Sequence, residues 1–175
     1  KIALTKKPVI FSTAGSDLEA IDAMVSFFKN RSIEASLMHC VGLYPTPSSE
    51  LNIGQISVFR ERYPGMRIGY STHEDPSHQQ TGALAFALGA SIFEKHVGLP
   101  NEEYVNNAYS ASPKQLSEWL EKLRQAVDMI GNVETKTKNA QSEITSLRDL
   151  QRGAFVKRFM KVGEVLTNND VYFAI

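Results

Sequence analysis

Four short apolar runs begin near residues 9, 35, 66 and 91, about 26, 31 and 25 residues apart, with helix-like stretches between them. That spacing suits successive βα units, whereas a β-sandwich shows turns about every 8–12 residues. Short apolar runs alternating with helices read as parallel strands buried on both faces. In a barrel of such units every strand ends, at its carboxyl terminus, on one common face. Three of the runs close on histidine: Ala35–His39, Met66–His73 and Ser91–His96. The pattern therefore predicts that His39, His73 and His96 converge on one site.

Pro8–Thr13 opens the first unit and stops at Ala14-Gly15-Ser16, where Ser16 or Asp17 can cap a helix carrying Leu18, Ile21, Met24, Val25 and Phe28. The second strand is Ala35–Cys40. Its helix is expected over about Glu50–Arg62, ended by Tyr63-Pro64-Gly65. Met66–Ser71 is the third strand, followed by a polar loop, Thr72–Ser77, and a close-packing helix of small residues over about Gln79–Leu88. Ser91–Lys95 is the fourth. After it, Ser112-Pro113 starts a long helix with Leu116, Trp119, Leu120, Leu123, Val127 and Ile130 on one face and Gly131 at its end. The expected fold class is α/β, a TIM (β/α)8-type barrel of which four βα units are present. A complete barrel takes about 250 residues. Residues 1–131 form this part, 132–148 read as a polar linker, and 149–175 as the beginning of a small β-rich domain.

Composition narrows the function. Nineteen basic and nineteen acidic side chains leave no net charge, so no positive field gathers a polyanion and nucleic acid is not an expected partner. The single cysteine, Cys40, excludes an internal disulfide and favours a reducing compartment. No apolar stretch approaches the roughly 20 residues of a membrane span. Together these readings point to a cytoplasmic protein without a membrane segment. The chain begins at Lys1 without a signal-like segment, which reads as a piece of a longer protein or a processed chain.

His73 and His96 carry most weight chemically, because consecutive strands lie about 4.8 Å apart and neutral imidazole is the commonest ligand of divalent metals. Two imidazoles leave coordination positions open for water and substrate. His39 opens a loop that Pro45 and Pro47 stiffen, which presents Tyr44 in a defined direction. His78 reads as surface, and Cys40 as a small buried hydrophobe. Glu94 and Lys95 place charges on a buried strand, where they must pair or face a functional mouth. Glu94 is expected to face the barrel interior. Ser12 and Ser71, at strand ends with free backbone N–H groups nearby, suit a phosphate or carboxylate. Glu74 and Asp75 read as an exposed acidic loop.

The segments Lys7–Thr13, His39-Cys40 with Tyr44-Pro45-Thr46-Pro47, Ile68–Ser71 with His73, Leu88–Ser91 and Glu94-Lys95-His96 resemble the sialic acid synthase family in order and spacing. Arg152-Gly153 through Lys161–Leu166 to Val171–Ala174 is similar to the opening of that family's antifreeze-like domain. The resemblance implies a barrel enzyme, a transferase that condenses phosphoenolpyruvate with an N-acylated amino sugar of the mannosamine type. The product would be a nine-carbon 2-keto sugar acid, made in the cytoplasm for surface polysaccharide, by a homodimer. A Mn2+ or Mg2+ ion would polarise the sugar aldehyde. By position, His73 and His96 match the metal ligands, Ser12 and Ser71 phosphoenolpyruvate contacts, and Tyr44 a sugar contact. Glu94 and Tyr44 stand as the catalytic candidates.

Three positions depart from the family pattern: Thr72 stands where aspartate is usual, Gly42 where Asn or Ser is usual, and Asn106 is the nearest match to a sugar-contacting aspartate. The departures leave two alternatives: a barrel aldolase or synthase with another acceptor, and a non-catalytic sugar-binding or assembly module.

Overall fold

A computed structural model of the chain describes all residues except 100, 102, 104, 132–139 and 175. It divides into two compact units, Lys1–Gly131 and Asn132–Ile175.

In the first unit, β1 (Val9–Ser12), β2 (Ala35–Cys40), β3 (Arg67–Thr72) and β4 (Ile92–Lys95) form one sheet in the order β1-β2-β3-β4. All pairings are parallel. Parallel neighbours need crossovers, and α1 (Leu18–Lys29), α2 (Gln55–Arg62) and α3 (Thr81–Ala87) provide them, with α4 (Pro113–Ile130) following β4. The helix-facing side of the sheet buries Leu37, Ile68 and Tyr70 against Ile21, Ile56, Phe59, Tyr63, Ala85 and Ala90, with Phe11 and Phe93 packed alongside.

Register then sorts the rest. Ser12, Met38, Gly69 and Ile92 form one row across the strands, and Cys40, Ser71 and Glu94 form a second, two residues further along. Side chains alternate with period two, so both rows face away from the helices. Gly69 lacks a side chain because Met38 lies across its position and Ile92 closes the other flank.

Helix boundaries follow local chemistry. Asp17 caps α1 by accepting from the Ala20 N–H at 2.8 Å. Ser112 and Gln115 form a capping box at α4 with Pro113 in its first turn, as the Ser-Pro signal predicts. The second helix differs from expectation: Ser48–Glu50 is a single 3-10 turn, and α2 starts only at Gln55. Asn52, in the left-handed region at φ 46°, interrupts the path, a conformation asparagine tolerates better than most residues.

In the second unit, β5 (Gly153–Val156) pairs antiparallel with β6 (Val171–Ala174). Arg158 ties the connecting loop by bonding Glu164 at 3.0 Å and Asp170 at 2.9 Å. Residues 132–139 of the expected linker lie outside the described residues. Its remainder is not extended chain, because α5 occupies Gln141–Asp149, where Ile144 and Leu147 at a spacing of three share one helix face. Among the described residues, no helix is long and apolar enough to cross a membrane.

Candidate active site at the strand ends

The β3–β4 register ends with Thr72 opposite Lys95, so the next pair in line is His73 and His96. Two residues beyond Ser71 and Glu94, both fall on the face away from the helices. Their rings lie 5.0 Å apart, inclined at 57°. His73 is 5% exposed, and its Nδ1 donates to the Val41 carbonyl at 3.3 Å. A carbonyl only accepts, so that contact fixes the proton on Nδ1 and leaves Nε2 with a free lone pair. Burial holds the His73 pKa below its ordinary value, and a nearby His96 lowers it further while the Val41 bond opposes the shift. The ring is therefore neutral near pH 7, as a ligand must be.

Two loops complete the site. Thr46 donates its N–H to the His73 carbonyl at 3.0 Å and its hydroxyl to Leu43 at 2.7 Å. This hangs the loop after β2 on the end of β3 and sets the Tyr44 ring 4.4 Å from His73. The loop after β4 is held by the Ala111 N–H on the His96 carbonyl at 2.9 Å. It brings Tyr109 to 5.1 Å from His96, 6.0 Å from His73 and 5.3 Å from Tyr44. Two tyrosines thus wall the histidine pair. Ser71 donates to Glu94 at 2.7 Å on the row just below.

Among the described residues no group of three His, Cys, Asp or Glu side chains could hold a metal ion. The donor set is the two imidazoles, with Nε2 of His73 unspent. It fits a divalent ion that keeps most of its positions for water and substrate.

The remaining expected residues are placed unevenly. Ser12 shares the face at the far edge of the sheet, where its oxygen accepts from the Ala14 N–H at 3.2 Å. Asn106 donates to the Gly98 carbonyl at 3.3 Å and so braces its own loop. His39 does not join the site. It pairs with Tyr70 in register, faces the helices, stacks on that ring at 6.0 Å and bonds the Leu51 carbonyl at 2.8 Å.

Glu74 is a second correction. It is not on an exposed acidic loop but fully buried, paired with Lys95 at 3.2 Å. Position 74 keeps the helix-facing parity of Tyr70 and Thr72. Asp75 does lie at the surface, where it accepts from the Ser77 N–H at 2.8 Å. Tyr109 was missed, since nothing in its loop marks it apart from its place before the Ser112 cap.

Comparison with known proteins supplies the kinship. Residues 1–135 match the model of the NeuB family. N-acetylneuraminate-9-phosphate synthase of Drosophila melanogaster is 32% identical over 66% of the chain and 31% of its own length. A candidate spore coat polysaccharide biosynthesis protein E from Chromobacterium violaceum superposes with a TM-score of 0.81 at 46% identity, over 99% of this chain and 52% of that one. N-acetylneuraminic acid synthetase of Leptospira borgpetersenii does so with a TM-score of 0.73 at 27% identity, over 85% of this chain and 51% of that one. The chain spans about half the length of two further curated relatives that it matches, 50% and 49%. The sheet is accordingly a parallel half-barrel of the kind those structures contain, and the chain belongs to the NeuB family.

Proposed function

We propose that these residues serve a sugar-acid synthase that joins phosphoenolpyruvate to an N-acylated amino sugar. The carbon–carbon bond forms between the enol carbon and the sugar aldehyde, water adds to the carbon bearing the phosphate, and phosphate leaves to give a 2-keto sugar acid. The observation that carries this reading is the pair of facing imidazoles directly above the Ser71–Glu94 hydrogen bond.

In this reading His73 and His96 hold Mn2+ or Mg2+, which when bound supplies Lewis acidity to the sugar carbonyl. Ser12 at the sheet edge, whose hydroxyl accepts from Ala14 and keeps its own proton, donates to the phosphoenolpyruvate oxygens, and Ser71 does so by turning its hydroxyl from Glu94 to the ligand. The Glu94 carboxylate, which accepts from Ser71 before the ligand arrives, is then left to take a proton from the reacting groups. Tyr44, 55% exposed, offers a ring face to the sugar, and Asn106, in the loop after β4, stands as a further sugar contact. Homodimer formation, a cytoplasmic setting and the reading of β5–β6 as the start of an antifreeze-like domain belong to the same proposal.

The first test is titration of Mn2+ into the chain, followed by paramagnetic broadening of the histidine ring signals. The expected result is that His73 and His96 broaden first and that the His73→Ala/His96→Ala variant loses the binding. Unchanged affinity in that variant overturns the site. Release of phosphate from phosphoenolpyruvate across a series of N-acyl sugars then tests the reaction.

A further inference from the structure

Behind the sheet, on the face opposite the histidine rings, Glu74 and Lys95 form an ion pair at 3.2 Å whose side chains are 0% and 3% exposed. The same Glu74 oxygen accepts from the Thr81 hydroxyl at 2.7 Å. The Thr81 oxygen accepts in turn from the Trp119 indole N–H at 3.1 Å. Lys95 Nζ lies 5.7 Å from the centre of the Trp119 ring. The pair is thus clamped between β3, β4, α3 and α4.

Its place in the chain is what matters. Glu74 directly follows His73, and Lys95 directly precedes His96. The strand ladder ends at Thr72–Lys95, one step short of the histidines. Their own carbonyls bond outward, to Thr46 and Ala111. At the level of the two rings, where the strand ladder no longer does so, this ion pair ties β3 to β4 from behind. Buried ion pairs are poor sources of stability, because desolvation offsets their attraction, and their best-attested use is to fix an arrangement.

We propose that Glu74 and Lys95 are positioning residues, an ion pair on the helix side of the sheet that sets the separation and inclination of the His73 and His96 rings on the other side. The consequence for metal binding rests on the ligand role given to those histidines above, whereas the geometric claim does not.

The test compares the 175-residue chain with two variants, Glu74→Gln, which keeps an acceptor for Thr81, and the apolar double replacement Glu74→Leu/Lys95→Met. The readouts are the nuclear Overhauser contact between the His73 and His96 rings, the Mn2+ dissociation constant and the melting temperature. Replacing both charges together is expected to leave the melting temperature at or above the starting value. The ring-to-ring contact is nevertheless expected to weaken in both variants, and the dissociation constant to rise about 10- to 100-fold, the usual cost of losing support behind a ligand. A purely structural pair would show the reverse: a stable double variant with the contact and affinity intact, which overturns the proposal. An unchanged contact in Glu74→Gln overturns it as well, whether or not the double variant folds. If the unsubstituted chain shows the ring contact but no Mn2+ affinity, the ligand reading fails alone, and loss of the contact in the variants still upholds the positioning role.

Discussion

His39 shows how one residue's parity separates a structural side chain from a site side chain. Its sequence context matches that of His73 and His96, each at the end of an apolar run, and the run alone carries no information on which face the last residue takes. The register does: His39 lies opposite Tyr70, while Cys40 lies opposite Ser71. Between Phe59 and Tyr70, desolvation pushes the His39 pKa below its ordinary 6.5, against the Leu51 bond that raises it. A histidine depressed in the folded state stabilises the fold above its unfolded pKa, and that stability is lost as pH falls through the folded value. His73, also lowered, acts in the same direction. Urea midpoints measured from roughly pH 7.5 down to about pH 5 should therefore fall through and below the ordinary histidine range. His39→Gln, which keeps an N–H for Leu51, should show a shallower fall, and an unaltered slope would contradict the assignment. Glu74 was misread for a related reason. The polar residues after it resemble a loop, and only strand parity carried two positions past Tyr70 puts its carboxylate inside.

At the scale of elements, what could be read in advance was whatever a local rule dictates. The Ser112-Pro113 start of α4 follows from capping chemistry, and Ser112→Ala should lower stability by about 0.5–2 kcal/mol by removing the hydroxyl that accepts from Gln115. The close packing expected of α3 also holds, for a stated reason: a side chain at Gly82 would run into the Trp119 ring. That ring is 2% exposed, bonded to Thr81 and edge-on to Phe93 at 5.8 Å, so it cannot withdraw. Overpacking costs about 1–3 kcal/mol, against the roughly 1 kcal/mol that alanine gains over glycine in a helix. Gly82→Ala should therefore be net destabilising in thermal unfolding, with a shift in Trp119 emission. Gly54, with nothing within 4 Å of its absent side chain, supplies a control that should change little. The late start of α2 was not legible, because it depends on one left-handed residue, Asn52, and asparagine also occurs in ordinary helical turns.

For the whole molecule, the order of the strands was legible from their spacing, since each helical crossover returns the chain beside the strand it left. The face that carries the site was legible at Glu94, expected toward the barrel interior and found on the side away from the helices, but not at the three histidines, where it depends on long-range register. Nor was the helix at Gln141–Asp149 evident in a stretch whose composition is mostly polar.

The division at Gly131 has a consequence for stability. Every residue of the core cluster precedes it, from Phe11 to Phe93, with Trp119 buried on α4 behind them. Gly131 itself closes α4, with its N–H on the Val127 carbonyl and φ at 59°, in the region that favours glycine. A chain ending there retains the four-stranded sheet, its four helices, the Glu74–Lys95 pair and the histidine pair. Residues 1–131 alone should unfold in one cooperative transition. At this size 1 kcal/mol corresponds to about 4 °C, so the midpoint should lie within about 4 °C of the 175-residue chain. The contact between the His73 and His96 rings should persist. A truncated chain that melts without a cooperative transition would show that residues after Gly131 take part in holding the first unit together.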